Sequence, residues 1–168
     1  TAAEGTDGFK SEDATLSLTF SANKATSDFT VEDIIVTGGN ITDFVSVNDS
    51  VYTATLTPAS EGDVTIDVGA GAFTDGAGNL NLAALQFNWT YDGTFPTMEI
   101  SASNTEGAVG QNTISNDSTL TITFTSSEGT EDFAIYDITV TGGIISDFST
   151  TSKSVYTCLL YTSDAADD

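Results

Sequence analysis

Apolar and polar residues alternate with a period of two along most of the chain. Leu16, Leu18 and Phe20 fall on one face and Ser17, Thr19 and Ser21 on the other, which predicts a strand over 15–21. Val31, Ile34 and Val36 predict a second strand near 31–36. Gly38-Gly39-Asn40 supplies residues that tolerate positive φ, and this turn leads into a short strand carrying Ile41 and Phe44. Val51-Tyr52-Thr53-Ala54-Thr55-Leu56 reads as the next strand, stopped by Pro58. Val64, Ile66 and Val68 alternate with Thr65 and Asp67 in another. Leu85, Phe87, Trp89 and Tyr91 stand two apart in a last one. No stretch sustains the 3.6-residue period of a helix. Short strands at regular spacing, separated by Gly, Asn and Asp turns, predict an all-β antiparallel sandwich.

The pattern is also copied. Residues 15–53 align with 119–157 at a constant offset of 104 residues, without a gap, and 20 of the 39 positions are identical. Thr15-Leu16-Ser17-Leu18-Thr19-Phe20 matches Thr119-Leu120-Thr121-Ile122-Thr123-Phe124, and Ser50-Val51-Tyr52-Thr53 matches Ser154-Val155-Tyr156-Thr157. A fixed long period marks a tandem array. The expected organisation is a first repeat over 1–91, a linker over 92–96 and a second repeat over 97–157. Thr1 aligns with Thr105, so the segment equivalent to Thr97–Ser103, an expected first strand, has no counterpart in the first repeat. The first repeat is therefore expected to be nearly complete and the second truncated. Pro96 restricts its own φ and its neighbour, so the linker is expected to be short and stiff.

The match stops at Cys158. The run Cys158-Leu159-Leu160-Tyr161-Thr162-Ser163-Asp164-Ala165-Ala166-Asp167-Asp168 resembles the in-frame translation of a transposon-end sequencing adapter. On that reading 158–168 is an artefactual tail and Cys158, the one cysteine, carries no function. A single cysteine permits no intrachain disulfide, so stability has to come from packing.

Charge narrows the function. The net charge is −22, with Lys10, Lys24 and Lys153 as the whole basic complement and no Arg or His. Such a chain repels phosphate, which excludes nucleic-acid binding, and it disfavours anionic membrane surfaces. No apolar run is long enough for a membrane span. Without His, the usual general base and the commonest neutral metal ligand are both missing. Serines and threonines are plentiful, yet there is neither a His to activate one nor a Gly-x-Ser-x-Gly elbow. An enzyme is not expected. A dense acidic surface suits hard, oxygen-seeking cations or serves solubility alone.

The sharpest local motif is Asp75-Gly76-Ala77-Gly78-Asn79. Two oxygen-bearing side chains four apart on a glycine-rich loop can converge on one cation, or the loop can be a turn capped by its own Asx hydrogen bonds. In a sandwich ordering, the loop after the 15–21 strand and the 70–83 loop share a pole. Asp28, Asp75 and Asn79 would then form one candidate metal site, and Asp92, Glu131 and Asp132 the corresponding set for the second repeat. Asp33 and Asp137 recur just ahead of apolar strand residues, as structural Asx turns do. Trp89 is either a packing residue or a platform for stacking a sugar ring.

Several runs together resemble bacterial Ig-like repeats from the stalks of large biofilm-associated and adhesin-type surface proteins. They are Asp28-Phe29-Thr30-Val31-Glu32-Asp33-Ile34, Gly38-Gly39 with Phe44, Ala72-Phe73-Thr74-Asp75-Gly76-Ala77-Gly78-Asn79, and the stretch from Tyr91-Asp92 to Pro96. The resemblance covers 1–157. It implies tandem immunoglobulin-like sandwiches, secretion to the cell surface, neighbouring repeats as partners and often calcium between domains. The expected function is a structural spacer and cohesion repeat of a secreted adhesin. The alternatives are a module that binds a cell-surface glycan or protein, and an accessory domain of a large secreted hydrolase.

Overall fold

The computed structural model describes residues 1–162. These residues form twelve strands and two single-turn 3-10 helices, with no α-helix among them. The chain divides into two compact units, Thr1–Thr94 and Phe95–Asp168.

The first unit contains β1 (Phe9–Ser11), β2 (Leu16–Ser21), β3 (Ile34–Thr37), β4 (Gly39–Asn48), β5 (Val51–Pro58), β6 (Gly62–Val68) and β7 (Phe87–Tyr91). One sheet has the order β2-β5-β4 and the other β1-β7-β6-β3. Alternation sends Leu16, Leu18 and Leu56 from the first sheet, and Val64, Ile66 and Trp89 from the second, into one shared core. Leu16 and Leu56 are 0% exposed and Trp89 1%. At roughly 1.5–3 kcal/mol for each large side chain taken out of water, this layer is the main source of cohesion.

Three local expectations are corrected. Val31 does not begin a strand: Val31–Asp33 is a 3-10 turn, because the Asp33 carboxylate accepts the Thr30 N–H at 2.8 Å, and β3 starts only at Ile34. Leu85 lies outside β7 and is 96% exposed, since the 69–86 loop is held irregular by Asn81, whose amide bonds Gly69 O and Phe73 N. The short strand at Ile41 and Phe44 is the ten-residue β4, bulged between Thr42 and Val45, with Asp43 at φ 53°. The β1–β7 pair is parallel, the one departure from antiparallel pairing within these sheets.

The second unit contains β8 (Met98–Asn104), β9 (Gly107–Val109), β10 (Thr119–Ser126), β11 (Gly143–Ser152) and β12 (Val155–Thr162), in one sheet ordered β11-β12-β10-β8-β9. The offset seen in the sequence recurs in the pairing. Leu16 faces Leu56 as Leu120 faces Leu160, and Phe20 faces Tyr52 as Phe124 faces Tyr156. The bulge between Thr42 and Val45 recurs between Ser146 and Ser149, and Asp147 adopts φ 52°. Phe29 meets Tyr52 edge-on at 5.0 Å, and Phe133 meets Tyr156 at 4.9 Å.

The Gly38-Gly39 pair has a steric cause. Gly38 sits at φ +79°, and a Cβ there would fall 2.5 Å from the Asp63 carbonyl oxygen. A Cβ on Gly39 would fall 2.8 Å from that of Thr57.

Past Thr157, where the sequence match ends, β12 continues through Thr162, with Cys158 buried opposite Ile122. Residues 163–168, the rest of the stretch read as a tail, lie outside the described residues. The expected first strand over Thr97–Ser103 is β8, which pairs with β10. Beside β2 the corresponding place holds Thr1–Ala3, with Ala2 bridging to Leu18.

Candidate functional site

Two loops meet at one pole of the first unit: 22–30, which leaves β2, and 69–86, which leaves β6. Asp28 on the first reaches Thr74 on the second. Its carboxylate accepts the Thr74 amide N–H at 3.0 Å and the Thr74 hydroxyl at 2.7 Å, and also the Thr26 hydroxyl at 2.7 Å. These donors, the Thr26 hydroxyl foremost, hold the Asp28 carboxyl down at about 2, against an ordinary 3.8.

Asp75 is held in the same manner. Its Oδ1 accepts the amide N–H groups of Ala77 and Asn79 at 2.9 Å each, and the Asn79 side-chain amide donates to Oδ2 at 2.9 Å. Lys24, from the opposite loop, ion-pairs with Oδ2 at 3.0 Å. The Asn79 bonds and then Lys24 keep this carboxyl well below the usual carboxylate range. Gly78 at φ +84° lets the loop curl tightly enough for these contacts.

Asp28, Asp75 and Asn79 therefore do gather at one pole. Asp92, expected with Glu131 and Asp132, follows Tyr91, which pairs with Gly62 at the end of β6 and β7 away from this pole. There Asp92 forms an ion pair with Lys10, which lowers its pKa. In the second unit Glu131 pairs with Lys153, and each holds the other in its charged form. Asp132, the repeat of Asp28, is exposed. The three lysines of the chain thus each sit on a carboxylate from the candidate metal set.

Calcium at this pole would have to compete with these protein donors. That ion takes six to eight oxygens, roughly, as ligands. Here the Asp28 and Asp75 oxygens face N–H and O–H donors and an ammonium group, all of which a cation would have to displace. No group of three or more Asp, Glu, Cys or His side chains is gathered for a metal among the described residues.

Sequence reasoning missed Thr26, Thr74 and Lys24. Thr26 left one signal, since it recurs as Thr130. Thr74 and Lys24 left none, because their role arises only when loops 46 and 51 residues apart in sequence come together.

The other singled-out residues pack. The Trp89 indole N–H donates to the Ser11 hydroxyl at 3.1 Å, its ring stacks on Phe9 at 6.2 Å, and its burial leaves no face for a sugar. Asp33 and Asp137 make the same contact, accepting the N–H three residues back at 2.8 Å. The Tyr52 and Tyr156 hydroxyls each donate to a carbonyl 26 residues earlier, Thr26 O at 3.0 Å and Thr130 O at 3.1 Å. These recurring residues build the scaffold.

A family model described as Bacterial Ig-like domain matches residues 4–91 and again residues 92–168. No curated protein and no solved structure matches the chain.

Proposed function

The chain belongs to the bacterial Ig-like domain family, and on that premise we propose that it is a spacer and cohesion repeat of a secreted bacterial surface adhesin, working mechanically rather than as an enzyme. The observation that carries this reading is the parallel pairing of β1 with β7, Phe9 facing Trp89 and Ser11 facing Tyr91. The chain enters the first unit ahead of β1 and leaves it after β7. Tension applied at those two points pulls parallel neighbours in opposite directions. Their hydrogen bonds then load together in shear instead of opening one at a time.

The pair is braced at both ends. Gly8 N–H donates to Asn88 O at 2.8 Å and Asp92 N–H to Ser11 O at 2.9 Å. The Asp7 carboxylate accepts the Asn88 amide N–H at 2.7 Å, and Lys10 pairs with Asp92 across the strands. Behind them lies the buried Trp89 layer.

The acidic, basic-poor surface favours an extracellular setting, where repulsion keeps long arrays from collapsing on one another. No helix among the described residues is long and apolar enough to cross a membrane. In this reading the loops are locked by their own donors, and calcium is not needed to set them.

Single-molecule pulling on the whole chain is the test. The first unit is expected to unfold in one event, its 94 residues extending to at most roughly 330 Å, less the span of the folded unit. Asp7→Ala, which strips the Asn88 contacts, should lower the unfolding force while leaving the folded spectrum intact. Featureless extension, or a force indifferent to Asp7→Ala, would remove the mechanical reading.

A further inference from the structure

We infer that the outer face of the β2-β5-β4 sheet, repeated on β10, β12 and β11, is a contact surface for a second copy of this chain. The chain carries 25 Asp and Glu residues and three lysines, yet none of these charges falls on the paired outward positions of β2, β5 and β4. Leu16, Leu18, Tyr52, Ala54 and Leu56 are buried, so their neighbours along the strands face out. Ser17 lies opposite Thr55, Thr19 opposite Thr53 and Ser21 opposite Val51. Across β5, Asn40 lies opposite Thr57, Thr42 opposite Thr55 and Val45 opposite Thr53. Asp43 stands at the margin, in the bulge of the end strand, where its carboxylate accepts the Thr42 hydroxyl at 3.0 Å. Strands added at either edge of the sheet would leave this face open.

The other sheet of the same unit shows the contrast. Val64, Ile66 and Val68 point into the core, so Asp63 and Asp67 face out from β6, and Lys10 faces out beside them from β1. The uncharged face, in turn, recurs in the second unit. There Thr121 lies opposite Leu159, Thr123 opposite Thr157 and Thr125 opposite Val155, with Ser146 and Ser149 alongside on β11. Glu99, facing Thr125 from β8, and Asp147, in the β11 bulge, stand beside this copy of the face.

Charge selects the occupant. Two copies, each with a net charge of −22, repel wherever carboxylates meet. A basic partner would be drawn to the acidic surface and not to this face. A threonine face is its own complement, because each hydroxyl both donates and accepts a hydrogen bond and each methyl is apolar. A two-fold contact needs one patch that fits itself, and here a second copy can approach without setting carboxylate against carboxylate. Each unit carries the face, so one chain offers two such contacts. The contact gives neighbouring chains lateral cohesion and does not depend on how the β1–β7 pair carries force.

Sedimentation equilibrium of the whole chain is the test. The mean mass should rise with concentration from one chain toward two. Association should be stronger at about 1 M salt, where charge reaches about 3 Å, than at about 0.15 M, where it reaches about 8 Å. Thr53→Glu with Thr157→Glu puts a carboxylate at the same point of both faces and should weaken association at least about tenfold. Ser17→Glu with Thr121→Glu does the same and replaces that pair if its melting temperature falls. Thr37→Glu with Ser60→Glu adds two charges at exposed positions off the face and should weaken association by clearly less. A chain that stays monomeric at both salts overturns the proposal, as does association that the face pair leaves intact or that the control pair weakens equally. Association no stronger at the higher salt overturns it too, since charge repulsion would not then be what the face avoids. So would a monomeric chain that an insoluble neutral polysaccharide retains until Thr53→Glu with Thr157→Glu releases it, because a glycan would then be the occupant.

Discussion

Asp28 grips Thr74 across 46 residues of sequence, accepting both its amide N–H at 3.0 Å and its hydroxyl at 2.7 Å. This one contact joins the loop that crosses from β2 to β3, between the two sheets, to the loop leaving β6, and so braces the pole where the chain passes from one sheet to the other. The Lys24–Asp75 pair crosses the same gap.

The grip should be acid-labile. The Asp28 pKa falls on folding from 3.8 to about 2, so the folded state binds fewer protons than the unfolded one in that interval. Its stabilising contribution is complete above about pH 4 and is lost as the pH falls toward 2. Asp75, shifted in the same direction, adds to the effect. Thermal melts from pH 5 to pH 2 should show the first unit losing stability, and Asp28→Asn should flatten that slope while lowering the melting temperature at pH 7. An unchanged slope in the variant would show that Asp28 is not a source of the acid sensitivity.

The tyrosine hydroxyls provide a paired comparison. Tyr52→Phe removes the donor to Thr26 O, which belongs to a buried residue, and leaves that carbonyl unpartnered at a cost of about 1–3 kcal/mol. Tyr156→Phe removes the hydroxyl that meets Lys153 O at 2.8 Å and the Thr130 hydroxyl and carbonyl at 2.7 and 3.1 Å, but Lys153 is exposed and Thr130 partly so, and water can replace the lost hydroxyl, so the loss should be smaller. Urea titrations read the two as midpoint shifts at constant slope. Equal shifts would contradict the ordering.

Burial separates Leu16 from Leu120 in the same way. Leu16 is 0% exposed beneath β6 and β7, whereas Leu120 is only partly buried in a unit whose described strands form one sheet. Leu16→Ala is expected to cost about 2–5 kcal/mol. Leu120→Ala should cost clearly less, because part of its surface is already in water. Differential scanning calorimetry of the two variants, read as shifts of separate transitions, decides between this order and its reverse.

Calcium should leave the first unit unmoved. Its candidate oxygens already accept protein donors, so millimolar calcium is expected to give no melting shift, and a chelator none in return. Lys24→Ala should lower the melting point through the loss of the Asp75 pair, without creating calcium dependence. A calcium-dependent rise in the unmutated chain would overturn the donor assignment at this pole.

Much of this was legible in the residues. The two-residue period of Leu16, Leu18 and Phe20 dictated a strand with one buried face, because successive side chains point to opposite sides of a sheet. The 104-residue offset dictated that the second copy repeats the β2-β5-β4 pairing of the first, down to the bulges at Asp43 and Asp147. The acidic excess limited the partners, because charge acts without regard to fold. What the residues left open was decided by distance in space. Local alternation reports which face is buried but not which strand lies alongside, so the parallel β1–β7 pair was not legible. The same limit hid the carboxylates' partners. An Asp in a glycine-rich loop reads as a metal ligand or as a capped turn until the fold brings Thr74 and Lys24 within bonding range, and that is a matter of tertiary packing alone.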